Sequence, residues 1–225
     1  MIARLILSLL AALAAPAAAA DVPAAAVPLI PVLRGEIAAR WPDLAIPSAL
    51  AAQVEQETCI SLKSKGCWNP RTELKTSREY GFGLGQLTVT SRFNAWDEVR
   101  GMDAGLRDWR WEDRYDARLQ LRALVVKDRF NARSFATAAT PADQLAFAFA
   151  AYNGGIGGAL SDIKQCRATT GCDPGRWFGH VERTSLKARA KVAGYGQSFF
   201  DINRGYVRAV LIERRLKYIE PMGGR

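Results

Sequence analysis

The sequence contains a single histidine, His180, and no apolar run after its first 20 residues that is long enough to cross a membrane. One histidine excludes a histidine-rich metal site and leaves one candidate base for a Ser-His-Asp or Cys-His centre. The segment around it, RWFGHVER, carries no nucleophile motif, so we interpret His180 as a surface or helix-start residue. Hydrophobic residues make up 49% and charged residues 24% of the 225 residues. This composition excludes a disordered tail protein, a collagen-like repeat and a polytopic membrane protein.

The first 20 residues, MIARLILSLLAALAAPAAAA, have the pattern of an export signal. Arg4 gives a positive start, an apolar stretch follows, and small residues at 18–20 precede Asp21. The apolar stretch is shorter than the roughly 20 residues that a spanning helix needs, and no cysteine follows it closely. We therefore predict cleavage after Ala20 and an exported chain without a membrane anchor, with a retained N-terminal anchor as the alternative. The expected compartment is the periplasm, and release from the cell is the alternative.

Basic residues outnumber acidic ones by 31 to 22, which gives a net charge of +9. Without the predicted signal, 30 basic residues remain against 22 acidic ones, a net charge of +8. Such a charge suits a polyanionic surface, whether cell-wall polymer, anionic lipid or nucleic acid. Export argues against nucleic acid as the main partner. An effect on solubility alone is the alternative interpretation.

The four cysteines fall in two close pairs, Cys59 with Cys67 and Cys166 with Cys172. An even number of cysteines in an exported chain predicts disulfides. Four cysteines allow three pairings, of which we favour the two local loops. A four-cysteine zinc site is the competing interpretation, but it usually shows pairs about two to four residues apart. The spacings of eight and six fit it poorly, so we predict no metal site.

Helical spacing of apolar residues dominates the chain, and the predicted fold class is mainly α with a small β element near residues 61–85. Residues 21–45 form an N-terminal lead-in, and 46–225 are predicted to be one domain, with a motif-bearing core at 46–160 and a C-terminal helical part at 161–225. In the first half of the chain the predicted helices are 34–41 and 48–58, the latter with Ser48 as cap, and residues 83–102 are predicted to hold a turn or short helix followed by a helix. In the second half they are 110–132, a helix that starts at Pro141 and ends at Asn153-Gly154-Gly155, a basic helix at 184–195, and 203–219.

The most informative position is Glu57, near the end of the second predicted helix. At about 100° per residue, Leu50, Val54 and Glu57 fall nearly in line, whereas Glu55 points elsewhere. A carboxylate on an apolar stripe is costly unless it is paired, hydrogen-bonded or protonated, and desolvation raises its pKa. A carboxylic acid that is still protonated near neutral pH is what general-acid cleavage of a glycosidic bond needs. The alternative is a glutamate that reaches solvent at the helix C-terminus.

Two later blocks accompany Glu57-Thr58 in the chain: Ser77 with Gly83-Leu84-Gly85-Gln86, and Ala151-Tyr152-Asn153-Gly154-Gly155. Together they resemble the soluble-type lytic transglycosylases, which share a lysozyme-like fold with goose-type lysozymes. That family shows a Glu-Ser pair ending a helix, a serine nine residues before the glutamine of Gly-Leu-Met-Gln, and then Ala-Tyr-Asn-Ala-Gly. The spacing from Ser77 to Gln86 and the order of the blocks match. The resemblance covers about residues 46–160.

Three departures from the family pattern stand out. Thr58 replaces the serine, and Gly85 replaces the methionine, which removes a side chain from the expected sugar groove. The gap between Glu57 and Ser77 is longer than in the family's common form, and the Cys59–Cys67 loop supplies much of the excess. We expect these changes to affect preference for substrate length more than the chemistry.

The resemblance implies a lysozyme-like α+β fold and cleavage of the β-1,4 bond between N-acetylmuramic acid and N-acetylglucosamine in peptidoglycan. Glu57 would act first as acid and then as base, and the product would be a 1,6-anhydromuramoyl sugar. Tyr152 would hydrogen-bond and orient Glu57, while Ser77, Gln86 and Asn153 would bind sugar or fix the groove. The implied partner is the peptidoglycan glycan strand, no cofactor is implied, and we expect a monomer.

Two other functions compete with this one. A hydrolytic lysozyme on the same fold would add a second carboxylate, and the sequence does not select among Glu73, Glu79 and Asp97. A non-catalytic cell-wall binding protein would use the positive charge and exposed aromatics, for which the candidates are Trp68, Trp109, Trp111 and Trp177. The sequence also leaves open whether cleavage occurs at strand ends or within strands. It equally leaves open a role in wall turnover or as a partner of an envelope-spanning secretion or conjugation machine.

Overall fold

The computed structural model describes residues 21–59, 65–77, 79–187, 189–193 and 196–224. The predicted export signal lies outside these described residues. Within them, no helix combines the length and the apolar character needed to cross a bilayer.

The protein is mainly α-helical with one small antiparallel sheet, as the sequence predicts. The α-helices of the described residues are α1 (Ile30–Arg40), α2 (Ser48–Thr58), α3 (Ala95–Met102), α4 (Ala117–Arg133), α5 (Pro141–Gly154), α6 (Ile156–Arg167) and α7 (Phe199–Arg208). The chain continues beyond α7 as a π-helical segment, Ala209–Arg214, and a short 3₁₀ turn, Arg215–Tyr218.

The sheet has the order β1 (Glu73–Lys75), β2 (Tyr80–Phe82) and β3 (Leu87–Val89), with both pairs antiparallel. The predicted β element is therefore confirmed, but it reaches Val89, where we expected a turn or short helix. Gln86 closes the tight β2–β3 connection in a left-handed conformation, with φ of 44°. Its side-chain amide stabilises that turn by donating to the carbonyl of Gly83 at 2.9 Å.

The largest core surrounds α2 and α5. Every residue from Ala49 to Glu55 is fully buried, and so is nearly all of the apolar run in α5. The many alanines of both helices let neighbouring helices approach closely, so α2 is enclosed on all sides instead of along one stripe. A second, smaller apolar cluster lies between the sheet and α3 and contains Phe82, Leu87, Val99 and Trp109.

Helix ends explain where the sequence-based boundaries are right. Helix α5 begins at Pro141 and ends at Gly154, as predicted, because Thr140 accepts a hydrogen bond from the Asp143 amide and Gly155 has φ of 79°. The prediction that Ser48 caps α2 is wrong. Ser48 is instead the first helical residue, and its hydroxyl is buried without a hydrogen-bond partner among the described residues.

The basic helix predicted at 184–195 is wrong in every part of that segment that the structure describes. The hydroxyls of Thr184 and Ser185 donate to the backbone carbonyl and the carboxylate of Asp162, at 3.1 and 2.8 Å. Such side-chain bonds compete with helical ones. The final helix in turn starts earlier than predicted, at Phe199, because Ser198 caps it by accepting from the Asp201 amide.

Both predicted disulfides are present, Cys59–Cys67 directly after α2 and Cys166–Cys172 at the end of α6. Two disulfides in a chain of this size are typical of proteins that fold in an oxidising compartment.

Candidate active site

A cleft of about 640 Å³ lies between the sheet, the C-terminal ends of α2 and α5, and the start of α7. Four of the five predicted catalytic and binding residues line it, namely Glu57, Gln86, Tyr152 and Asn153, together with two acidic residues of the hairpin. The lining residues are Glu57, Thr58, Thr72, Glu73, Leu74, Glu79, Gly81, Gln86, Thr88, Tyr152, Asn153, Gly154, Lys187, Phe199, Ile202 and Asn203.

Glu57 stands in the last turn of α2 and is half-buried in the wall of this cleft. Burial raises the pKa of its carboxyl to about 8, although a hydrogen bond from Tyr206 works in the opposite direction. The Tyr206 hydroxyl bonds Oε1 of Glu57. The other oxygen, Oε2, has no hydrogen-bond partner among the described residues, and the residue lines the cleft. A carboxyl in this state is protonated at neutral pH and can donate its proton.

The hydrogen bond to Glu57 comes from Tyr206, not from Tyr152, so our expectation that Tyr152 bonds Glu57 is wrong. Tyr152 lies next to the cleft, but its hydroxyl donates to the backbone carbonyl of Gly85 at 2.6 Å. Burial and the Glu57 carboxylate raise the pKa of both tyrosines well above the ordinary value, so both hydroxyls keep their protons. Tyr206 lies beside Val207 and one turn before Val210 on the last helix. That position on an apolar face was the signal that could have identified it.

Glu55, which we predicted to point away from the line of Leu50, Val54 and Glu57, is buried more deeply than Glu57. Its carboxylate is 0% exposed and forms ion pairs with Arg214 at 2.6 Å and Lys217 at 2.9 Å. The Tyr218 hydroxyl donates a third bond to it at 2.5 Å. Buried carboxylates that have such partners stay ionised and serve structure. Glu57 lacks a cationic partner within ion-pair distance among the described residues, which leaves it as the candidate acid.

A third carboxyl, that of Asp128 on α4, is buried near Glu57 and Gln53. Both of its carboxyl oxygens are buried without a hydrogen-bond partner among the described residues. Burial raises the pKa of Asp128 well above its usual range, the Gln53 amide opposes this effect, and the Glu57 carboxylate adds to it. Burial thus disfavours a negative charge on Asp128 beside Glu57.

The other predicted binding residues divide into two groups. Gln86 and Asn153 line the cleft with Tyr152, but their side chains also hold the local structure. Asn153 accepts a hydrogen bond from Asn203 at 3.1 Å, and Gln86 donates to the carbonyl of Gly83 in its own turn and to that of Thr72 before β1. Ser77 lies in the exposed β1–β2 connection and is not among the residues that line the cleft.

The two departures from the family motif both point inward. The Thr58 hydroxyl donates to the Val54 carbonyl at 2.6 Å and accepts from the Trp68 amide at 2.9 Å, which fixes the disulfide loop to α2. A Cβ on Gly85 would lie 2.7 Å from the Tyr152 hydroxyl and 3.1 Å from Leu124. Our expectation that Gly85 removes a side chain from the sugar groove is therefore wrong, because that side chain would point into the core.

The hairpin brings two of the three candidate second carboxylates to the cleft. Glu73 and Glu79 both line it, whereas Asp97 lies on α3 and bonds Asn94 and Arg100. Hydrogen bonds from Tyr115 and Tyr80 hold the pKa of Glu73 below its usual range. One wall of the cleft thus carries a protonated carboxyl and the facing hairpin an ionised one.

The aromatic residues proposed for cell-wall binding are mostly internal. Trp68, Trp109 and Trp177 are buried, and only Trp111 of the four is exposed, at 36%. The single histidine, His180, accepts a hydrogen bond from the Asp173 amide at 3.0 Å and lies outside the cleft. Over the described part of the chain, no group of His, Cys, Asp or Glu side chains is arranged to hold a metal ion.

Neither the protein-family models nor the curated proteins with which the chain was compared gave a match.

Proposed function

We propose that the protein is a peptidoglycan-cleaving enzyme that uses Glu57 as its acid, in the manner of the lytic transglycosylases that its motifs resemble. The observation that carries this proposal is the half-buried Glu57, which lines the cleft and whose carboxyl has its pKa raised to about 8. Protonated carboxyls of this kind supply the proton for glycosidic cleavage. The disulfides and the positive charge support action in the periplasm, on an anionic wall polymer.

In the proposed reaction Glu57 protonates the oxygen that leaves from C1 of the muramoyl residue, and the C1–O bond breaks. The N-acetyl carbonyl of the same sugar stabilises the positive charge at C1. The ionised Glu57 then takes the proton of the muramoyl 6-hydroxyl, whose oxygen bonds to C1. One glycosidic bond is exchanged for an internal glycosidic bond between C1 and O6, and no water is consumed. Tyr206 holds Oε1 in place, which restricts the orientation of the carboxyl.

Hydrolysis by the same site is the second candidate function, and the position of Glu73 is the observation that favours it. Two carboxyl groups with opposite pKa displacements in one cleft are the arrangement that glycoside hydrolases use. In that reaction the ionised Glu73 would position a water molecule or stabilise the positive C1. The product would carry a free reducing end in place of the anhydro ring.

The test is digestion of purified peptidoglycan by the wild-type protein, Glu57→Gln and Glu73→Gln, with the released fragments weighed by mass spectrometry. Transglycosylation predicts anhydromuramoyl fragments, one water lighter than hydrolysis products, from the wild type and from Glu73→Gln but not from Glu57→Gln. Reducing-end fragments that disappear in both variants would favour hydrolysis. Failure of the wild type to release fragments while it binds the wall would contradict both and favour a non-catalytic binding protein.

A further inference from the structure

Two guanidinium groups meet over one aromatic ring at the rim of the cleft. The guanidinium carbon of Arg114 lies 4.3 Å from the centroid of the Tyr115 ring, and that of Arg71 lies 4.8 Å from it. The Tyr115 hydroxyl bonds Glu73, which lines the cleft. Arg71 immediately precedes Thr72 and Glu73, two of the lining residues. The pair is therefore at the hairpin side of the cleft mouth.

These two arginines lack the acidic partners that buried arginines of this protein have. Among the described residues, no carboxylate lies within ion-pair distance of either, whereas Arg122 and Arg204 are paired with Glu36 and Asp162. Arg114 donates to the Trp111 carbonyl at 3.2 Å and to the Tyr115 hydroxyl at 3.0 Å, it also interacts with the Tyr80 hydroxyl, and its Nε is buried without a partner among the described residues. Arg71 is exposed, and its guanidinium makes its contact with the tyrosine ring.

Stacking on the Tyr115 ring holds the exposed Arg71 guanidinium in place, with no side-chain hydrogen bond to another described residue, whereas the Arg114 guanidinium is already hydrogen-bonded and contributes its positive charge. A planar guanidinium in this state binds a carboxylate through two parallel hydrogen bonds, and its prior ordering reduces the entropic cost. The nearest acidic group, Glu73, is already bonded by the hydroxyls of Tyr80 and Tyr115. Lys75 on the same strand adds a further positive charge.

We propose that Arg71 and Arg114 form a subsite for a carboxylate of the glycan substrate. This inference rests on the proposed function, since it adds a specificity site to the same cleft. The sugar rings of peptidoglycan are neutral, and its carboxylates belong to the lactyl group of muramic acid or to the peptide attached there. A carboxylate subsite distinguishes such strands from neutral β-1,4-linked N-acetylglucosamine polymers.

The experiment measures binding by Glu57→Gln, so that no ligand is cleaved, with and without Arg71→Gln. The ligands are soluble glycan fragments that carry peptides, the same fragments with the peptides removed, and neutral N-acetylglucosamine oligomers of equal length. We expect Arg71→Gln to weaken binding of the peptide-bearing fragments about tenfold, as loss of one charge-assisted contact predicts, and to leave the neutral oligomers unchanged. Arg71→Lys should restore part of the affinity, because it keeps the charge but loses the planar fork.

The control is Arg110→Gln, because Arg110 is a neighbouring exposed arginine that is paired with Asp113 at 2.9 Å. It should leave all three affinities unchanged. A loss confined to peptide-bearing fragments identifies a carboxylate of the peptide as the ligand, whereas a loss confined to peptide-free fragments identifies the lactyl carboxylate, which is free only once the peptide amide has been cleaved. Equal affinities with and without Arg71→Gln, or an equal loss on the neutral oligomers, would overturn the subsite while leaving the proposed cleavage intact. Absence of binding to all three ligands by Glu57→Gln would contradict the proposed function itself.

Discussion

Glu55 and Glu57 are two residues apart on α2, the first fully buried and the second half-buried, and their surroundings differ in charge. The carboxylate of Glu55 is compensated by Arg214 and Lys217, so its negative charge is stable in the core. Glu57 has only the neutral Tyr206 hydroxyl, so burial dominates and raises its pKa to about 8. The contrast shows how the partners of a carboxyl, and not its burial alone, determine whether it can act as an acid.

The first prediction concerns Tyr206→Phe and the pH dependence of cleavage. Glu57 must be protonated to act as acid, so activity should fall as the pH rises through about 8. The Tyr206 bond lowers the pKa of Glu57, so its removal should raise that pKa further and move the alkaline limb upward, by up to about one unit for one hydrogen bond. The turnover number should fall about tenfold, because Oε2 loses its orientation.

The measurement is the pH profile of kcat/KM on soluble glycan fragments. Tyr152→Phe is the control, because its hydroxyl bonds Gly85 and not Glu57, so its alkaline limb should coincide with that of the wild type. A limb that moves in Tyr152→Phe but not in Tyr206→Phe would contradict the assignment.

At the scale of an element, the tight turn between β2 and β3 packs against Tyr152, which lines the cleft. The Tyr152 hydroxyl donates to the Gly85 carbonyl, and the absence of a side chain at Gly85 leaves the space that this hydroxyl occupies. The turn therefore connects the sheet to α5 at the point where both enter the cleft. The glycine in place of methionine predicts a wider groove at this position. The direction of a Cβ at Gly85, toward Tyr152 and Leu124, indicates a role in packing instead.

The second prediction is that Gly85→Ala lowers the free energy of unfolding by about 1–3 kcal/mol, because the added Cβ would force Tyr152 or Leu124 to move. Gly35→Ala is the matched control, since Gly35 is exposed within α1 and has open space around it. That change should raise stability by about 0.5–1 kcal/mol, because alanine loses less backbone entropy in a helix. Urea denaturation measures both, and equal stability of Gly85→Ala and wild type would contradict the packing role.

At the scale of the whole molecule, the C-terminal segment closes the structure onto the helix that carries the candidate acid. It supplies Tyr206 to Glu57 and three partners to Glu55. Trp68, in the loop after α2, donates its indole N–H to Tyr218 at 2.9 Å. These contacts hold the C-terminal segment against α2 and the loop that follows it, and the geometry of the site depends on them.

The third prediction is that Glu55→Gln destabilises the protein by about 3–5 kcal/mol, because Arg214 and Lys217 lose the charge that compensates them in a buried place. Asp113→Asn serves as the surface control, since the ion pair of Asp113 with Arg110 is exposed and should contribute less than about 1 kcal/mol. The midpoint of urea unfolding provides the comparison. A loss for Glu55→Gln no greater than that for Asp113→Asn would show that the C-terminal closure contributes little stability.

Local order was largely predictable from the sequence, and its failures have local causes. The bounds of α2 and α5 and both disulfides follow from caps, periodicity and short spacings, which act between near neighbours. Strand β3 was not predicted, and the helix that was predicted at 184–195 is absent from the described part of that segment. In those two segments pairing with another strand, or side-chain bonds to Asp162, outweighs the weak local preference.

The sequence by itself determined the helical class, the disulfide pairing and the position of Glu57 in the last turn of α2, because each depends on residues within a few turns of one another. Only the tertiary structure decided that Tyr206 bonds Glu57 across 149 positions, that Glu55 is neutralised from the C-terminal segment, and that Ser77 lies away from the cleft. These contacts join elements that are distant in the chain. Their choice follows from how the whole set of apolar faces packs, and no local pattern carries that information.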